Sequence, residues 1–150
     1  PKQHNSFYNY VNKYYLEGFG INKNSSYLIN TDKISLANGM HWTEVFPSGI
    51  VDLTLRHRDV VSEEEKYQQE SLYLVDQWCN QYEKNIRELG GIGFFLGGIG
   101  PDGHIAFNVR GSDHNSTTRL TQTNFETQAT AAVDLGGIEI SRNRLVITIY

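Results

Sequence analysis

The sequence has little sulfur: of 150 residues, one is cysteine and one is methionine. A lone Cys79 excludes an intrachain disulfide framework and a cysteine-rich zinc site, and no metal is expected. Long apolar runs are missing too. None approaches the ~20 residues of a bilayer span, and no secretion-signal pattern is visible, so the expectation is no membrane partner and a cytoplasmic setting. Basic excess is also lacking. With 13 Lys+Arg against 17 Asp+Glu the formal net charge is −4, which argues against nucleic acid as a partner. What is present is enough for a core. Hydrophobic residues make up 39% and include all eighteen aromatics, so a disordered chain is excluded. The length suits one domain over 1–150.

Periodicity divides the chain into segments. Residues 5–16 place Phe7, Tyr10 or Val11, and Tyr14 at helical spacing, with Asn5 or Ser6 as N-cap, and Gly18 and Gly20 end the pattern. Turn signals crowd residues 21–61, with short strands expected near 27–29 and 51–55. Ser62-Glu63-Glu64-Glu65 has the form of a capping box. Behind it Leu72, Val75, Trp78 or Cys79, Tyr82, Ile86 and Leu89 run down one helical face to Gly90-Gly91. Residues 92–96 read as a strand buried on both faces, 117–121 as β-prone, 124–133 as a helix, and 144–150 as a second buried strand. Helix alternating with buried strand predicts an α/β fold, a partial Rossmann-like parallel sheet with crossover helices.

Chemistry concentrates after the first of those strands, in Gly97-Gly98-Ile99-Gly100-Pro101-Asp102-Gly103-His104-Ile105-Ala106-Phe107-Asn108. The carboxyl ends of strands in open α/β sheets are where ligands bind. Glycines allow a sharp turn and close approach of the backbone to a ligand. Asp102 and His104, one residue apart, can share one rim of a turn. A carboxylate beside an imidazole fixes its tautomer and makes an acid/base group. The stretch from Gly98 to Gly103 also matches G-x-G-x-x-G, but Asp102 would repel a pyrophosphate and no acid follows at the expected distance. His41 and His57 read as surface or packing residues, and Cys79 as core.

The segment GGIGPDGHIAFN resembles the signature of the glucosamine-6-phosphate deaminase family, close to G-G-x-G-x-D-G-H-I-A-F-N-E, and shares a shorter form with the 6-phosphogluconolactonases. Residues 81–86, 116–120 and 144–149 resemble the helix before the signature, the S-R-T-R segment after it, and a later family strand. The resemblance implies conversion of glucosamine 6-phosphate to fructose 6-phosphate with loss of ammonia, on a phosphorylated amino sugar and without metal or organic cofactor. It makes His104 the ring-opening acid/base and Asp102 its orienting partner. Gly97, Gly98, Gly100, Gly103 and Asn108 become substrate-binding positions, and Arg110 and Arg119 candidates for phosphate or an effector.

Three departures stand against that pattern. Val109 occupies the place of the signature's final Glu, and Asp113 is the nearest carboxylate downstream. No arginine lies between 120 and 141, where the family has a phosphate-binding one near the position of Val133. The family's S-G-x-T and D-E-Y elements would precede Pro1, and its G-x-G-T turn would follow Tyr150. The expectation is therefore a central fragment of a longer deaminase-like protein, inactive alone and prone to self-association through exposed sheet edges or faces. The alternatives are a catalytically impaired sugar-phosphate-binding regulatory domain and a 6-phosphogluconolactonase-like hydrolase.

Overall fold

A computed structural model describes residues 6–135 and 145–148. The expectations placed on residues 1–5, 136–144 and 149–150 lie outside these. The chain divides into two compact units, 1–34 and 35–150.

In the first unit the expected helix forms, capped by Ser6, whose hydroxyl accepts the Asn9 N–H at 3.1 Å. It begins as α1 (Phe7–Tyr10) and continues as a π-helical stretch, Val11–Glu17. The wider turn brings Tyr10 and Tyr15, five residues apart, to a ring separation of 6.1 Å. Leu16 and Ile34 are buried here. The strand expected at 27–29 does not form. Instead Asn30 caps a short 3-10 turn, Thr31–Lys33, by accepting the Asp32 N–H at 3.0 Å. Local side-chain bonding of this kind competes with strand pairing.

The second unit is built around α3 (Glu63–Glu88), 26 residues long. Ser62 caps it as expected, accepting the Glu65 N–H at 3.1 Å. The Glu65 carboxylate, however, accepts the Val61 N–H at 2.8 Å and pairs with Arg58, so the box closes one residue early. A reciprocal box appears where none was expected, between His41 and Glu44 at the start of α2 (Trp42–Val45). One face of α3 buries Ser71, Leu72, Val75, Cys79 and Tyr82, while Leu89 is exposed. Against that face lie Leu36, Ala37, Val45, Phe46 and Leu55, with Leu120 completing the core. The strand expected at 51–55 is a 3-10 turn, Leu53–Arg56, because Asp52 bonds both the backbone N–H and the hydroxyl of Thr54.

Two strands are described, β1 (Arg119–Gln122) and β2 (Leu145–Thr148), with α4 (Phe125–Leu135) between them in the chain. They pair antiparallel, in the register Arg119↔Thr148 to Gln122↔Leu145. Mixed helix and strand is thus present, and the expected Rossmann-like parallel sheet is not formed among the described residues. Residues 92–96 make no strand, and Phe94 is 83% and Leu96 73% exposed. A parallel strand needs ladder partners and helices over both faces, and no described strand lies beside this run.

Candidate active site

The loop after residue 96 folds as two turns. The Gly100 carbonyl accepts the Gly103 N–H at 3.0 Å, and the His104 carbonyl accepts the Gly100 N–H at 2.9 Å. Pro101 at the second position suits such a turn, and Gly103 takes the left-handed φ of +85° that a side chain would strain. The turn brings Asp102 and His104 together. The imidazole Nδ1 bonds Asp102 Oδ1, and the second carboxylate oxygen accepts the side-chain N–H of Asn124.

The imidazole is tightly enclosed. His104 is 8% exposed, and its ring stacks on Phe107 with centroids 5.9 Å apart. Its other flank is the bare Cα of Gly100, where a methyl group would lie 2.1 to 2.5 Å from three ring atoms. Bonding to His104 holds the Asp102 carboxyl below the usual carboxylate range; burial opposes this, and the Asn124 amide reinforces it. An ionised carboxylate only accepts, so Nδ1 carries the proton, and the lone pair of the neutral ring is on Nε2. That tautomer is the one an acid/base group needs.

A second turn follows, with the Asn108 N–H bonding the Ile105 carbonyl at 3.1 Å. Ala106 sits at φ 53°, a left-handed conformation that costs a residue with a Cβ about 1–2 kcal/mol. The segment is tethered to β2, where Thr148 Oγ1 accepts the Phe107 N–H at 2.9 Å. Arg119 on β1 donates to Asn108 Oδ1 at 3.0 Å, to Ser112 Oγ at 3.2 Å and to the Thr117 carbonyl at 3.2 Å. Asn108 Nδ2 bonds the Ile105 carbonyl at 3.2 Å.

The expected site residues thus fall into groups. Asp102, Gly100, Gly103 and His104 form one cluster. Asn108 and Arg119 bond each other. Gly97 lies under the Phe95 ring, Gly98 is open, and Arg110 is exposed. Asp113 is turned to its own loop, accepting the Asn115 N–H at 2.7 Å. Among the described residues, Asp102 is the one carboxylate bonded to the imidazole, and no group of metal-ligating side chains occurs. Sequence reasoning missed Asn124 and Thr148. An asparagine just ahead of an apolar helical pattern signals an N-cap, but nothing local says where the rest of its amide points.

No family model matches the chain. It is similar to a glucosamine-6-phosphate deaminase of Caenorhabditis elegans, 40% identical over 102 residues that cover 63% of this chain and 36% of the relative. A glucosamine-6-phosphate deaminase of Phocaeicola vulgatus is 64% identical over 42 residues, covering 28% of this chain and 16% of that protein. A glucosamine-6-phosphate isomerase of Candida albicans is 56% identical over 45 residues, covering 30% and 18%. Over these stretches the chain is a homologue of glucosamine-6-phosphate deaminases and isomerases, and it spans little more than a third of the worm protein's length at most.

Proposed function

We propose that this chain carries the ring-opening acid/base of an amino-sugar-phosphate isomerase/deaminase. In the intact protein, glucosamine 6-phosphate and water would give fructose 6-phosphate and ammonia. The observation that carries the reading is the enclosed His104, bonded through Nδ1 to an ionised Asp102. The stretches shared with deaminases and isomerases support it. The lone pair of His104 Nε2 takes the proton of the sugar's C1 hydroxyl, and the imidazolium so formed, stabilised by Asp102, gives that proton to the ring oxygen as the ring C–O bond breaks and the C1 carbonyl forms. Moving the C2 proton to C1 needs a further base, which the family resemblance places ahead of Pro1. The sugar's own carbonyl or iminium acidifies that proton, so the reading calls for no metal or organic cofactor.

On this reading the 150-residue chain alone is not a competent deaminase. The phosphate contact expected near Val133 is missing, and remote binding energy is what positions a sugar for reaction. The test is ammonia release from glucosamine 6-phosphate by the longer protein of which this reading makes the chain a part, with His104→Ala as control. Release that His104→Ala lowers by ~10²–10⁴-fold supports the assignment. No release, or release indifferent to position 104, overturns it. A rate from the 150-residue chain near that of the longer protein overturns the fragment reading.

One observation favours a second reading, a sugar-phosphate-binding regulatory domain. Val109 brings no carboxylate to the imidazole, and Asp102 alone among the described carboxylates reaches it. Calorimetric binding of glucosamine 6-phosphate without turnover in the longer protein selects this reading.

A further inference from the structure

We infer that Asn124 is a positioning residue for His104: a single carboxamide that opens α4 with its oxygen and steadies Asp102 with its nitrogen. The two ends of the amide are told apart by their partners. Asn124 Oδ1 accepts the Thr127 N–H at 3.1 Å, and the Asn124 main-chain carbonyl accepts the Gln128 N–H at 3.0 Å, which is the geometry of an N-cap. The oxygen is therefore an acceptor committed to the helix. The remaining end is an NH2 group, which only donates, and it meets Asp102 Oδ2. Gln128 Nε2 bonds the Thr123 carbonyl at 2.7 Å and fixes the residue just ahead of the cap.

Both oxygens of Asp102 are thus held, one by the imidazole and one by the amide, so the carboxylate cannot swing away from Nδ1. No other small polar residue does both jobs. Aspartate caps a helix equally well but offers no donor and sets a second carboxylate against Asp102. Serine caps too, but its hydroxyl is too short to reach across. Val109 supplies no polar group to the site, and Asn124 supports the relay from its far end, through Asp102. The catalytic consequence rests on the function proposed above; the positioning itself does not.

The test therefore reads the ring directly. Ring-nitrogen NMR of His104 is compared in the 150-residue chain and its Asn124→Ser and Asn124→Asp variants, with the Thr127 amide signal reporting the cap. The parent is expected to show the Nδ1–H tautomer. Asn124→Ser should retain the Thr127 signal while the two ring nitrogens move toward a mixed-tautomer average. Asn124→Asp should retain the cap while the ring-nitrogen signals move away from the parent's, because a second carboxylate then stands against Asp102. Ring signals identical to the parent in the Asp variant, with its cap intact, overturn the inference. In the longer protein, Asn124→Ser should lower kcat for ammonia release about 10-fold with KM within about 2-fold. If the unaltered longer protein releases no ammonia, the proposed function fails and the ring signals still decide the role of Asn124.

Discussion

At position 100 a side chain has no room. The His104 ring rests on the Gly100 backbone, and an added methyl would sit 2.1 Å from its Cε1. Either the ring moves and loses Asp102, or the turn opens. Gly100→Ala is expected to cost ~1–3 kcal/mol, the usual range for overpacking, read by urea unfolding. The His104 ring signals should shift at the same time. Asp102 sets a pH signature at this scale. Its carboxyl lies below the ordinary value in the folded chain, chiefly through the His104 bond. The stabilisation is therefore complete above the unfolded carboxyl's pKa and is lost as pH falls through the lower folded value. Unfolding free energy measured from pH 5 downward should fall for the parent, and the slope should be shallower in Asp102→Asn.

Elements show where local chemistry outweighs pattern. Arg58 gathers the loop ahead of α3, bonding Asp52 at 2.9 Å and Glu65 at 2.7 Å. The Thr54 hydroxyl and then Arg58 bring the Asp52 carboxyl down to about 2, and Arg58 with the Val61 N–H lowers Glu65 as well. Both shifts have the same sign, so this junction should hold at pH 5 and above and loosen as pH falls toward 2. Amide exchange in the first turn of α3 should speed up over that interval, and Asp52→Asn should flatten the change. The helix itself was legible because two local signals coincide, a serine cap and a long apolar stripe. Its inner face also sets the chemistry of Cys79. Burial pushes that thiol up to about 12, so it should resist thiol reagents until the chain unfolds. The strands expected at 27–29 and 51–55 were misread for the opposite reason. Asn30 and Asp52 spend their side chains on turns, and a β-prone run has no way to register that. The candidate site was half legible: Asp102 and His104 are separated by a single glycine, whereas Asn124 and Thr148 arrive from 22 and 41 residues away.

For the whole molecule, the misread run at 92–96 matters most. Its pattern was that of a strand buried on both faces, and burial of that kind is a property of neighbours. Here Ile92, Phe94, Phe95, Leu96 and Ile99 are all more than half exposed, although each is as apolar as a core residue. Contiguous exposed apolar surface and unpaired backbone favour association. The chain is therefore expected to self-associate at micromolar concentration through this run. Sedimentation velocity across a dilution series should show a concentration-dependent shift. Phe94→Ser with Leu96→Ser should abolish that shift while leaving stability within ~0.5 kcal/mol, because exposed side chains contribute little to the fold. Association that survives the double substitution would place the contact elsewhere. A strictly monomeric parent would show that backbone ladder partners are not needed to keep this run in solution.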